Sequence, residues 1–218
     1  DVCVPSGNFG NIYAGFLARS MGVPIRRLIL ATNENNVLEE FFTTGIYRPR
    51  SAEDTLATSS PSMDISKASN LERFIWALLG PEVFVQRWTE LETTGTLDLR
   101  DQLPRLREEF GFVAGTSTHA DRLEAIRSVK ERSGRLIDPH TADGVTVALR
   151  VMEPGFPTLV METAKAAKFP QTVAEALGSE PETPDVVADL LARPQKVETI
   201  DNEEAPLRAL IEERALTR

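Results

Sequence analysis

The segment Pro5-Ser6-Gly7-Asn8-Phe9-Gly10-Asn11 carries the clearest chemical signal in the chain. It follows a short β-branched run, Val2 to Val4, and precedes a stretch of helical periodicity, so it joins the end of a strand to the start of a helix. Unpaired backbone N–H groups and the positive end of the helix dipole converge at such a junction, which suits a phosphate. Gly7 and Gly10 let a backbone approach an anion closely, while Ser6, Asn8 and Asn11 offer side-chain donors. The same residues also suit a tight βα turn that needs glycine only for its backbone angles, and residue types alone leave both readings open. The loop lacks the Lys-Ser/Thr ending of a nucleotide-binding P-loop and the G-x-G-x-x-G spacing of a dinucleotide fold, so neither ATP nor NAD is favoured.

A second group of reactive types stands at Asp138-Pro139-His140-Thr141. His140 is one of two histidines and could do acid–base work, although a histidine beside a proline turn is more often structural. Thr141, just before Ala142, suits a helix N-cap. His119, in a helix's first turn, is expected to face solvent. Asn33 and Asn35 follow the C-terminal end of a strand, where α/β folds place ligands, and ordinary turn asparagines are the plainer alternative. Asp64 and Arg73 are expected to meet substrate or one another, with a solvent-facing Arg73 as the bland option. Cys3, the only cysteine, lies in an apolar run and reads as a buried small hydrophobe, which points to a reducing compartment. No metal site is expected.

The elements that would position these groups follow from periodicity and punctuation. Ile12, Phe16, Leu17 and Met21 predict one buried helix face, closed by Gly22 and Pro24. Arg26 to Ala31 reads as the next strand, completing a βαβ unit and implying a parallel sheet. Asn33 to Ser62, rich in Asn, Thr, Ser and Pro, reads as loop and short turns. Ser69 and Glu72 suggest a capping box that opens a helix with Leu71, Phe74, Ile75, Leu78 and Leu79 on one face and Gly80-Pro81 at its end. A further helix carries Val83, Phe84, Trp88 and Leu91 up to Gly95, and an amphipathic segment spans Leu99 to Phe110. Beyond Gly111, strands are expected at Phe112–Ala114, Arg135–Ile137 and Thr158–Met161. Helices are expected from Thr118 to Gly134, over 142–152, over 184–192 and over 203–216. The resulting organisation is residues 1–62 as a βαβ unit and following loop, 63–110 as a helical insertion or subdomain, 111–180 as a return to the sheet, and 181–218 as C-terminal helices.

Bulk properties bound the function classes. The 218 residues are 41% hydrophobic and 26% charged, as in ordinary globular chains. With 33 acidic against 24 basic residues, the formal charge of −9 disfavours nucleic acid as a partner. No apolar run approaches the ~20 residues of a membrane helix, and no signal-peptide pattern is present, so a cytoplasmic protein without membrane contact is expected.

The run V-P-S-G-N-F-G-N before a helix resembles the cofactor-phosphate loop of threonine synthases, in the longer-chain group of bacteria and fungi. Ala31-Thr32-Asn33 with Asn35, Ser62-Met63-Asp64-Ile65 with Ser69 to Arg73, and Asp138 to Ala142 with Gly144-Val145 agree in order. The resemblance implies an α/β fold, part of the fold-type II (tryptophan synthase β-like) parallel sheet that holds pyridoxal 5'-phosphate. It implies that Ser6, Gly7, Asn8, Phe9, Gly10 and Asn11 cradle the cofactor phosphate, mainly by backbone donors, and that Thr141 sits at the pyridine nitrogen. The implied reaction converts O-phospho-L-homoserine and water to L-threonine and phosphate, with Asn33, Asn35 and Asp64 as candidate substrate contacts. In the family the Schiff-base lysine lies upstream of the phosphate loop. Lys67, Lys130, Lys165, Lys168 and Lys196 all lack that context: Lys67 lies in the helical insertion, and the other four sit among polar residues and read as surface lysines. The expectation is therefore a chain that lacks an N-terminal part as its partner, is inactive alone, and exposes a sheet edge prone to self-association.

Overall fold

The computed structural model describes residues 1–215, without the side chains of residues 186, 188 and 191. The chain begins β1 (Val2–Pro5), α1 (Gly10–Ser20), β2 (Leu28–Thr32), α2 (Val37–Thr44) and β3 (Ile46–Tyr47). It continues α3 (Leu71–Leu79), α4 (Pro81–Thr94), β4 (Leu97–Asp98), β5 (Phe112–Thr116), α5 (His119–Ser133) and α6 (Pro139–Val151). It ends β6 (Leu159–Val160), α7 (Pro170–Leu177), α8 (Asp185–Leu191) and α9 (Glu204–Arg214). Asp1–Glu182 forms one compact unit, and the stretch from Thr183 onward forms another that holds α8 and α9. None of the described helices is long and apolar enough to cross a membrane.

The first unit is built on a parallel sheet of order β5-β2-β1-β6, with Cys3 opposite Ile29 and Val160, and Ile29 opposite Val113. Successive side chains of a strand point to opposite faces, and here both faces are covered. Val4, Leu28 and Leu30 pack with Phe9, Phe16, Phe42, Phe74 and Phe112, where Phe42 stacks on Phe112 at 4.5 Å and on Phe9 at 5.5 Å. Cys3, Ile29 and Ala31 face Val147 and Ala148 of α6 on the other side. Helix α6 lies close against β1 and β6 because residue 144 is glycine: a Cβ there would stand 2.9 Å from Val160 Cγ1 and 3.3 Å from Pro5 Cδ. Burial pushes the Cys3 thiol up to about 12, as for an inert core cysteine.

Several expectations are corrected. Only Ile12 and Phe16 of α1 are buried; Leu17 is 42% and Met21 86% exposed, because Tyr13 rather than Leu17 flanks Phe16 against the core. The stretch read as loop contains α2, whose Val37, Leu38, Phe41 and Phe42 are buried, and β3, which pairs with β4. Strand β2 starts at Leu28, two residues beyond Arg26. The Ser69–Glu72 box does not form. Helix α3 opens after Asn70 without a side-chain cap, because the Asn70 amide and Nδ2 both donate to the Asn8 carbonyl at 3.1 Å. Arg135–Ile137 forms no strand; Leu136 and Ile137 are apolar because they pack with Ala125, Ile126 and Ala142. Pro184 precedes α8 rather than lying within its first turn. Residues 100–102 form a tight single turn and residues 105–109 a separate, wider π-helical turn, while the helix expected over 203–216 runs Glu204–Arg214, with residue 216 outside the described residues.

The apolar face of α3 and its stop at Gly80 form as expected. So does the cap of α5, where Thr118 and Asp121 bond reciprocally, and its close at Gly134.

Candidate active site

Loop 6–11 runs from the C-terminal end of β1 into α1 and is shaped by its own side chains. The Phe9 amide donates to Ser6 Oγ at 3.1 Å and the Gly10 amide to Asn8 Oδ1 at 2.8 Å. Phe9 takes a left-handed backbone, φ 66°, which a non-glycine residue adopts at a cost of about 1–2 kcal/mol. Its fully buried ring, stacked in the aromatic core, offsets that strain. Gly7 is required by close approach: a Cβ would stand 2.9 Å from Met63 Cα. With Asn8 anchored through its carbonyl to Asn70, the amides of Gly7, Asn8 and Asn11 donate to no described residue. No acidic residue and no side-chain cap neutralise the start of α1. The loop therefore presents free N–H groups at an uncompensated positive helix end, an arrangement suited to an oxyanion.

Those groups open onto a cavity of about 200 Å³ lined by Ser6, Gly7, Asn8 and Asn11, with Ser62 and Met63, His140, Thr163 and Lys168 around them. Phe9 and Gly10 shape the loop without lining it.

The Asp138–Thr141 turn stands beside this cavity. Asp138, not Thr141, caps α6, accepting from the His140 amide at 2.9 Å. Its other oxygen accepts the hydroxyl of Thr141, which is buried. Burial raises the Asp138 carboxyl, but hydrogen bonds from His140 and Thr141 hold it below the usual range. The Ser62 amide donates to His140 Nε2 at 3.0 Å, so the ring's proton sits on Nδ1, which donates to Asp138 at 2.8 Å. With both nitrogens committed and its ring against Phe169 at 4.8 Å, His140 serves as a structural brace.

The other candidates gather elsewhere. Asn33 and Asn35 donate to Asp64 Oδ1 at 2.8 and 3.0 Å, and Thr58 donates to both Asp64 oxygens. This cluster pins the 56–64 segment to the end of β2, with its polar groups used internally. Arg73 is exposed among Tyr13, Trp76 and Trp88 and does not meet Asp64. His119 does not simply face solvent. Its Nε2 donates to the Glu175 carboxylate at 2.9 Å, so Nδ1 of the neutral ring accepts the Ser59 hydroxyl at 2.8 Å, and Ser59 Oγ in turn accepts from Arg122.

Sequence reasoning missed Arg122, which is fully buried. It donates twice to Glu34 at 2.9 Å, to Asp143 at 3.0 Å and to Ser59 at 2.7 Å, tying the loop after β2, the 58–62 segment and α6 together. Burial pushes Asp143 up to about 6 against the pull of Arg122. Lys168, read as a surface lysine, lines the loop's cavity.

A family model described as the C-terminal part of threonine synthase matches residues 141–211. Threonine synthase from Methylobacillus glycogenes is 49% identical over 213 residues, covering 96% of this chain and 45% of that one. The Corynebacterium glutamicum threonine synthase is 51% identical over 207 residues, covering 92% and 43%. The crystal structure of pyridoxal-phosphate-bound threonine synthase from Brucella melitensis superimposes with a TM-score of 0.85 at 36% identity, over 97% of this chain and 45% of that one. The chain thus spans a little under half the length of the relatives it matches. By the match of nearly all its residues in sequence and in three dimensions, the chain belongs to the threonine synthase family and carries part of that family's fold-type II parallel α/β sheet.

Proposed function

We propose that these residues form the cofactor-holding part of a pyridoxal-phosphate-dependent threonine synthase, which converts O-phospho-L-homoserine and water to L-threonine and phosphate. The observation that carries this reading is the loop of free amides at Gly7, Asn8 and Asn11, opening on a polar cavity at an uncompensated helix start. These amides would hold the cofactor's phosphate, while Ser6, Phe9 and Gly10 fix the loop's shape. Thr141 would stand at the pyridine nitrogen, its rotamer held by Asp138. A neutral hydroxyl there leaves that nitrogen's protonation unforced. Pyridoxal phosphate, when bound, supplies an electron sink next to the substrate's amino group. His140 keeps the Ser62 turn against the cavity instead of moving protons.

Lys67, Lys130, Lys165 and Lys196 do not line the cavity, and Lys168 flanks the phosphate loop. On this reading the lysine that moves protons comes from outside these 218 residues, and the 218 residues alone are inactive. The buried lone cysteine favours a cytoplasmic setting. The test is release of threonine and phosphate from O-phospho-L-homoserine by the full-length protein, with the 218-residue chain run beside it. Equimolar products from the former and none from the latter are expected. Phosphate without threonine would instead make the protein a phospholyase of the same fold. Turnover by the 218 residues would overturn the assignment of the base.

A further inference from the structure

We propose that Lys168 is the cationic ligand of the cofactor's phosphate, held over the amide loop from the opposite wall of its cavity. This rests on the reading of the loop as a phosphate cradle and adds to it the one full positive charge that the cradle lacks. A phosphate monoester carries about −1.5 to −2 at neutral pH, whereas a helix start offers the equivalent of about +0.5. Among the described residues, the cavity's lining contains no carboxylate and no arginine, and Lys168 is its only fixed cation.

Placement of the side chain is set by its turn. Residues Ala166–Lys168 form a tight turn closed by the Lys168 amide on the Lys165 carbonyl at 3.0 Å and the Phe169 amide on the Ala166 carbonyl at 2.9 Å. The Phe169 ring then packs edge-on against His140 at 4.8 Å, which fixes the turn relative to the cavity wall. The Lys168 ammonium stands 6.0 Å from the Phe169 ring centre and makes no ion pair with any described residue. Lys165, three residues earlier on the same turn, is neutralised by Glu162 at 2.6 Å. The free ammonium at the rim is a compact, solvent-reached point charge, so its pull on a phosphate should be salt-dependent.

The test compares pyridoxal phosphate with pyridoxal, which lacks only the phosphate, by equilibrium titration of the purified full-length protein at low and high salt. Wild type, Lys168→Gln, Lys168→Arg and Lys165→Gln would be run in parallel. The expected result is a preference for pyridoxal phosphate in wild type that falls about tenfold in Lys168→Gln, the size of one charge-assisted hydrogen bond. Pyridoxal binding should stay unchanged, the salt dependence should flatten, Lys168→Arg should recover most of the preference, and Lys165→Gln should match wild type. If Lys168→Gln keeps the preference and its salt dependence, the proposal falls while the cradle stands. If Lys165→Gln loses as much, the effect is general surface charge and the proposal also falls. If the variant leaves cofactor affinity intact but raises the KM for O-phospho-L-homoserine at saturating cofactor, the lysine serves the substrate's phosphate and this assignment is overturned. A wild type without any preference for the phosphate would instead sink the cradle itself.

Discussion

At the scale of single residues, the loop's shape depends on two positions that tolerate little change. A Cβ on Gly7 would meet the backbone of Met63, so Gly7→Ala must displace either the loop or the Ser62–Asp64 turn. It is expected to weaken pyridoxal phosphate binding by at least about tenfold, roughly 1.4 kcal/mol, as read by titration. Asp143 offers a pH signature. Its carboxyl is raised by burial to about 6 in the folded chain, above its ordinary 3.8. A group raised on folding stabilises fully below its unfolded pKa and loses that contribution as pH climbs through the folded value. Relative to wild type, Asp143→Asn should therefore gain stability between about pH 4 and 6, by about 1–3 kcal/mol. Urea midpoints at several pH values check this, and a pH-independent difference would contradict it.

At the scale of elements, Arg122 is the tie between the loop after β2, the 58–62 segment and α6. Arg122→Met leaves Asp143 buried without a counter-charge and should cost about 3 kcal/mol by denaturant titration, whereas Arg122→Met with Asp143→Leu should recover most of it. A double variant no more stable than the single one would contradict that account. Elements with local signals were legible: the strand–glycine loop–helix junction, the apolar face of α3 with its Gly80-Pro81 stop, and the Thr118 cap. Helix α2 was not. Its eight residues carry a helical pattern at Val37, Leu38, Phe41 and Phe42, but the polar flanks hid so short a repeat. The Ser69 box failed because Asn70 answers a partner sixty residues away, and Leu136-Ile137 mimicked a strand while filling a helix junction. The Arg122 cluster left no sequence trace, since a buried arginine on a charged helix looks like a solvated one until its partners converge.

At the scale of the molecule, strand β6 lies at the edge of the sheet, and Leu159 on it is 65% exposed, with Met161 and Phe156 nearby also exposed. Unpaired strand edges with apolar side chains invite pairing with another chain. The 218-residue chain is therefore expected to self-associate, with light-scattering mass rising with concentration, and Leu159→Lys should lower that rise. A constant monomer mass would contradict it. The family was legible because several spaced motifs agreed in order, whereas the positions of Lys168 and Asp143 depend on how distant elements close around one cavity.

The central claim is that loop 6–11 holds the phosphate of pyridoxal phosphate. A crystal structure of the full-length protein with that cofactor tests it most directly. Phosphate oxygens are expected within hydrogen-bond distance of the Gly7, Asn8 and Asn11 amides, with Thr141 at the ring nitrogen. A cofactor bound with its phosphate elsewhere, and those amides facing only water, would contradict it.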